Sequence, residues 1–223
     1  MRVTHIFHSG FLVELERHVL VFDWWDGSLP AFGPNKDVVV FVSHKHADHF
    51  DTRIWDLEGD NTSYVLDFGC RTSARGHQNV TFVKPYERRN LGDLVVETLA
   101  SNDEGVAFVI SVEGRTIYHA GDLNVWWWDR PQEENEGSLA FCRGELTRIV
   151  TKPVDVAMVP LDVRLADPDG PVRCIELFMQ EVGADHVFPM HYWYDKETAM
   201  SWANSPRLAQ WRDKLHFEDS LEI

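Results

Sequence analysis

Val38-Val39-Val40-Phe41-Val42-Ser43-His44-Lys45-His46-Ala47-Asp48-His49 joins two patterns that seldom meet in so short a span. Its first five residues are an unbroken β-branched and aromatic run, which predicts a strand buried on both faces and ended by Ser43. The six residues from His44 then carry three histidines and an aspartate on the loop leaving that strand. Loops at the ends of rigid strands are where catalytic groups collect, because the backbone there is free to aim side chains at one point. His44 and His46, two apart on extended backbone, can point the same way and share one ion. Asp48 and His49 lie further round the turn and would face a second ion, at the roughly 3.5–4 Å spacing of two-metal hydrolytic sites. Neutral imidazole and carboxylate suit Zn²⁺, Mn²⁺ or Fe, and the lack of thiolate in the run argues against a closed structural zinc site. The alternative is a solvated polar loop, so the run needs context.

Two later stretches supply it. Tyr118-His119-Ala120-Gly121-Asp122 closes a strand-like segment, Thr116 to His119, with a glycine that permits a tight turn just before a carboxylate. Val187-Phe188-Pro189-Met190-His191 ends in a histidine in the same way. On these residues the chain resembles the metallo-β-lactamase superfamily of metallohydrolases. The resemblance implies that His44 and His46 bind one metal, that Asp48, His49 and His191 bind the other, and that Asp122 bridges them. It implies Zn²⁺ as the cofactor, one or two ions, with Mn²⁺ or Fe as alternatives. The opening Ile6-Phe7-His8-Ser9-Gly10-Phe11-Leu12-Val13-Glu14-Leu15 resembles the first hairpin of the branch that includes the ascorbate-phosphate lactonases. There a His-Ser pair ends the first strand near the site, which would bring His8 to substrate or metal; a hydrogen-bonded core histidine is the other reading.

The chain departs from the family at one place. The family takes a further histidine from the loop between the strands Leu94–Leu99 and Val106–Val112, where this chain has Ser101-Asn102-Asp103-Glu104-Gly105. Asp103 can take that place, with Glu104 or His119 as substitutes, since carboxylate oxygen is an acceptable and harder ligand. An ordinary Asn-Asp-Glu-Gly turn would instead leave the first site incomplete. His119, three residues before Asp122, can alternatively orient a ligand carboxylate.

Composition narrows the function. The chain has 223 residues, 44% of them hydrophobic, enough to bury one large core as a single domain, residues 1–223. No apolar run approaches the roughly 18 residues of a membrane span, and no charged-then-apolar leader opens the sequence, so a cytoplasmic protein is expected. Cys70, Cys142 and Cys174 are widely spaced and read as small core residues. A net charge of −15 repels phosphate backbones and argues against nucleic-acid partners and the nuclease branch of the superfamily. It leaves open a small anionic substrate, because bound dications reverse the local sign.

Strand-like stretches at Val3–His8, Phe11–Leu15, Val19–Asp23, Val38–Ser43, Ser63–Leu66, Val80–Val83, Leu94–Leu99, Val106–Val112 and Thr116–His119 precede a mixed region. That region reads as a helix from about Leu139 to Val150, a strand Val154–Pro160, a helix from about Val172 to Val182 closed by Gly183, and a strand His186–Pro189. Two sheets between outer helices fit this order, an α/β (α+β) fold. The resemblance makes it a four-layer αββα sandwich with metals at one edge. Trp24-Trp25, Trp126-Trp127-Trp128 and Tyr192-Trp193-Tyr194 follow strands whose ends would meet there, so they can wall a substrate pocket or cap the core.

The implied chemistry is attack by a metal-held hydroxide on a small ester, lactone or phosphodiester, with Asp48 orienting it and passing a proton to the leaving group. Neither a G-x-S-x-G nor a phosphate-cradling glycine motif is present, so water is the expected nucleophile. A non-catalytic metal or ligand sensor and a diiron redox protein are the other classes. The second is disfavoured because His46 stands where such proteins place a glutamate.

Overall fold

The computed structural model describes residues 1–165 and 169–223. β1 (Arg2–Phe7), β2 (Gly10–Glu14) and β3 (His18–Phe22) form an antiparallel meander, and β4 (Asp37–Val42), β5 (Thr62–Asp67) and β6 (Val80–Val83) extend it in parallel. The second sheet takes β7 (Arg88–Leu91), β8 (Leu94–Ala100), β9 (Val106–Val112) and β10 (Arg115–His119) in antiparallel sequence. β11 (Val154–Pro160) and β12 (Ala184–Met190) are then added in parallel to β10. A short β13 (Ser220–Glu222) closes the free edge of β1, completing sheets of seven and six strands.

The period-2 geometry of a strand explains how β4 is buried on both sides. Val39 and Phe41 face the second sheet in the main core, while Val38, Val40 and Val42 face outward into a second cluster with Ile54, Tyr64 and Leu66. That outer cluster is roofed by 3₁₀ turns at Thr52–Leu57 and Phe68–Thr72. The outer face of the second sheet is covered by α1 (Gln132–Leu146) and α2 (Arg173–Glu181). Two facing sheets with helices outside the second agree with the α/β arrangement that the resemblance implies, while the first sheet carries 3₁₀ turns in place of an outer helix.

The first long helix starts earlier than its apolar pattern suggests. Glu133 and Glu134 occupy its first turn after Pro131, where proline and negative charge both suit a helix N-terminus. The acidic run 133–136 is therefore helix, not merely solvated surface, and its Asn135 is buried, donating to Trp128 O at 2.8 Å. Gly183, at φ +79°, closes α2 by donating to Phe178 O. No helix among the described residues is long and apolar enough to cross a membrane.

Candidate metal centre

Parallel pairing decides where the chemistry collects. β3 and β4 run together, as do β10, β11 and β12, so the segments leaving their C-terminal ends emerge at one edge. β9 opposes β10, which brings residues 101–105 to the same edge. Val106 N–H donates to Ser43 O at 3.0 Å and ties the two sheets there. The closeness demands glycine at two points. A Cβ on Gly105 (φ +75°) would lie 2.0 Å from Ser43 O, and one on Gly121 (φ +50°) would lie 2.8 Å from Ser43 Cβ and Val106 O. Strain gathers here too, with His8, Asp23, His191 and Trp193 all at positive φ.

Eight candidate residues meet at this edge. Their donor atoms fall into four overlapping groups, each within 4.8 Å: His8, His49 and His191; His44, His46 and Asp48; His44, His49 and Asp122; and His46, Asp103 and Asp122. Asp48 falls with His44 and His46, while His8 stands beside His49 and His191, where the resemblance had set Asp48. Asp103 lies with His46 and Asp122, on the side lacking the family histidine. Glu104 falls in none of these groups and pairs with Lys45 at 2.7 Å and with His46 Nε2 at 2.9 Å.

The buried end of the cluster offers a candidate cation site. His49 Nε2 and His191 Nε2 approach Asp122 Oδ1 to 3.1 and 3.0 Å, yet none of these three atoms makes an aligned hydrogen bond. Both ring nitrogens of His8 are also buried and unpartnered. Buried polar atoms are rarely left so, and lone pairs converging past one another are the arrangement of ligands around an ion. The electrostatics agree. Burial works against a charged His49, but the carboxylates of Asp122 and Asp23 outweigh it and hold that imidazole up at about 10. Burial likewise opposes ionised Asp122, and His191 and His49 overcome it, holding the carboxyl well below its usual range. Burial, then His49, pushes His44 down to about 4; burial, then His191 and His49, pushes His8 far down. Asp103 is raised by burial and by the neighbouring Asp122 carboxylate.

Two residues outside the ligand candidates set its shape. Asp23, 1% exposed at the end of β3, accepts from Ser43 N–H at 2.8 Å, Ser43 Oγ at 2.7 Å and His49 Nδ1 at 2.7 Å. A carboxylate on Nδ1 aims Nε2 into the cluster, the usual support for a ligating imidazole. The sequence showed Asp23 only as the last residue of a buried strand; an acid in that position is the signal. His119 is neither a ligand candidate nor a partner of the Asp122 carboxylate, which corrects both readings of it. Its Nε2–H donates to Ser9 O at 2.9 Å and its Nδ1 accepts from Gly121 N–H at 3.1 Å, so both nitrogens are spent on holding the turn.

Each aromatic cluster divides. Trp24, Trp127 and Tyr192 pack into or against the core. Trp25 and Trp193 stand against His8, with ring centroids 6.3 and 4.2 Å away. Trp126 and Trp128, parallel to within 3°, line a cleft of about 500 Å³ with Asp103, Arg130, Phe141 and Arg164. His5, His18 and His77 are structural, bonded to Tyr192, Glu113 and Glu58 respectively.

Comparison with known proteins agrees with this geometry. Residues 2–191 match the model of the beta-lactamase superfamily domain, and the chain belongs to that family. It is 26% identical over 206 residues to a metal-dependent hydrolase of Korarchaeum cryptofilum, covering 86% of this chain and 83% of that one. A metallo hydrolase from Ignicoccus hospitalis shares the fold at a TM-score of 0.68 and 16% identity, covering 100% of this chain and 98% of its own. An isothiocyanate hydrolase from Delia radicum gut bacteria does so at 0.62 and 14%, covering 100% and 99%. Family, fold and site define the class: a metal-dependent hydrolase of the metallo-β-lactamase fold.

Proposed function

We propose that this hydrolase holds one or two divalent ions at the sheet edge and cleaves a small ester, lactone or phosphodiester with water. The observation that carries the reading is the convergence of buried, unpartnered ligand atoms from His8, His49, His191 and Asp122. His44 and Asp122 lie on the boundary between that group and the more exposed one formed with His46, Asp48 and Asp103. The imidazole-rich buried side suits zinc, and the carboxylate-bearing outer side accepts a harder ion such as Mn²⁺ or Fe. When bound, a divalent ion supplies a water acidified toward neutrality and a Lewis acid for the substrate oxygen.

The chain's own residues do the rest. Asp48 is partly exposed, its backbone pinned by Ser9 Oγ at 3.1 Å and its Oδ2 3.8 Å from His8 Nε2. There it can orient the attacking water and carry a proton on Oδ to the leaving group. Trp193 and Trp25 close one wall beside His8 and limit bulk water. Cytoplasmic action on a small molecule is part of the same reading.

Elemental analysis of protein purified without added metal, alongside His46→Ala and Asp103→Ala, tests the site. About two equivalents in the parent, falling toward one in both variants, is the outcome expected of a two-metal centre completed by Asp103. One equivalent indifferent to Asp103 would remove it from the ligand set. Full esterase or phosphodiesterase turnover by rigorously metal-free protein would end the reading.

A further inference from the structure

Arg164 belongs to none of the ligand groups, yet it stands at the mouth of the site. It follows β11 on the segment Leu161–Leu165, which is anchored by Leu161 N–H donating to Met190 O and Leu165 N–H donating to Asp162 O. Asp162 is fully buried, and its carboxylate takes the Arg164 backbone N–H at 3.0 Å and the guanidinium Nε at 2.8 Å. Nη2 completes a two-pronged grip on the same carboxylate. A buried acid thus fixes one edge of the guanidinium, while the side chain remains 49% exposed. Among the described residues Nη1 makes no hydrogen bond, and the Asp122 and Asp48 carboxylates lie near enough to act on the guanidinium.

The surroundings give that free edge a purpose. The guanidinium carbon lies 5.6 Å from the Trp193 ring centroid, and that ring in turn packs on His8. The same Arg164 lines the cleft with Asp103, Trp126 and Trp128. One cation therefore borders both the candidate metal ligands and an aromatic-walled cleft, in a chain whose net charge is −15. Arg130 is the cleft's other cation, but with its Nε on Asn135 Oδ1 and its Nη2 on Trp126 O, its remaining Nη1 lies 3.9 Å from the Glu134 carboxylate.

We infer that Arg164, held rigid by Asp162, is the anchor for an oxyanion on the substrate, and that the substrate carries this group on a flat apolar framework lying along Trp126 and Trp128. The class is a small carboxylate- or phosphate-bearing ester or lactone. Preorganisation by Asp162 lowers the ordering cost of forming the ligand contact, and an arginine fork matches carboxylate and phosphate oxygens. The inference rests on the hydrolase reading for what is done to the substrate, but the binding it describes can be measured without turnover.

The experiment is quenching of tryptophan fluorescence in the purified metal-loaded protein by phenylacetate, benzylphosphonate and the neutral phenylacetamide. It compares the parent with Arg164→Gln, Arg164→Lys and Arg130→Gln, with metal content checked in each. The expected result is an anion-over-amide preference of about tenfold or more, reduced to near parity in Arg164→Gln and partly kept in Arg164→Lys, with affinity for the amide unchanged. Whichever acid binds more tightly identifies the oxyanion. Failure of either acid to bind, a preference that survives in Arg164→Gln, or one lost in Arg130→Gln instead, overturns the assignment. In matched charged and neutral esters, Arg164→Gln should raise KM for the charged member far more than it lowers kcat. Absence of turnover with the binding preference intact would count against the hydrolase reading and leave the anchor standing; turnover without a preference would do the reverse.

Discussion

Asp23 spends both carboxylate oxygens on three donors, Ser43 N–H, Ser43 Oγ–H and His49 Nδ1–H, at 2.7 to 2.8 Å. In Asp23→Asn one of those oxygens becomes an NH₂ group, a donor where donors already point. His49 must then turn or change tautomer, and its Nε2 leaves the cluster. The expected outcome is a metal affinity weakened about 10- to 100-fold with the fold retained, measured by competition against a chelator of known affinity. Equal affinity in the variant would show that Asp23 is only a core acid. The contrast between Asp23 and His44 explains what could be read from the chain at this scale. His44, His46, Asp48 and His49 announce themselves because they are neighbours in sequence. Asp103 could be suspected only from the residue missing beside it. Asp162 and Arg164 carry no local pattern and Asp23 only that of an acid closing a buried strand, because their roles exist only once β3, β11 and the metal loop are brought to one edge.

The two sheets are also fastened at the far end from the site, by a contact between two turns. Glu113, in the β9–β10 turn, accepts from the backbone N–H groups of Glu16, Arg17 and His18 and from His18 Nδ1, at 2.7 to 3.0 Å. Partial burial raises the Glu113 pKa, but the hydrogen bonds from His18, Arg17 and Glu16 outweigh it and leave the carboxyl below its ordinary value. A carboxyl depressed in the fold contributes stability above its unfolded value of about 4.5 and loses it as pH falls through the lower folded one. Glu113→Gln should therefore cost about 1–2 kcal/mol at pH 7, and the gap from the parent should narrow as pH drops below about 4, followed by urea midpoints. A gap independent of pH would place the effect on packing instead of charge. At this scale the apolar strands were legible because burial on one or both faces leaves a period. β7, Arg88-Arg89-Asn90-Leu91, is a polar edge strand with no such period, and α3 (Lys196–Ala203) and β13 gave no reading. These elements form because β8 and β1 offer β7 and β13 unpaired backbone and the turn Gly170–Val172 packs against α3, which local sequence does not display.

Across the whole molecule, burial makes the three cysteines a reporter of global opening. Cys70 and Cys174 are each pushed up to about 12 and Cys142 well above its usual value, in every case chiefly by burial. Thiol reagent should leave the native protein essentially unlabelled at pH 8 and titrate all three thiols in denaturant. That reporter suits a linkage between metal and fold. His8, His44, His46, Asp48 and His49 leave the first sheet, while Asp103, Asp122 and His191 leave the second. An ion held by residues from both sheets is lost when the sheets separate, so it binds the native state and not the unfolded one. Metal at about 100 times its dissociation constant should then raise global stability by about 2.7 kcal/mol, and each further tenfold by about 1.4 kcal/mol. Chelation should lower the thermal midpoint, and labelling of buried Cys174, far along the chain in α2, should accelerate by the same factor as the loss in stability. If chelation leaves both the midpoint and Cys174 labelling unchanged, the ion is held by one sheet alone and the shared centre is refuted. If only the midpoint falls, labelling proceeds through a local opening of α2 that the metal does not restrain.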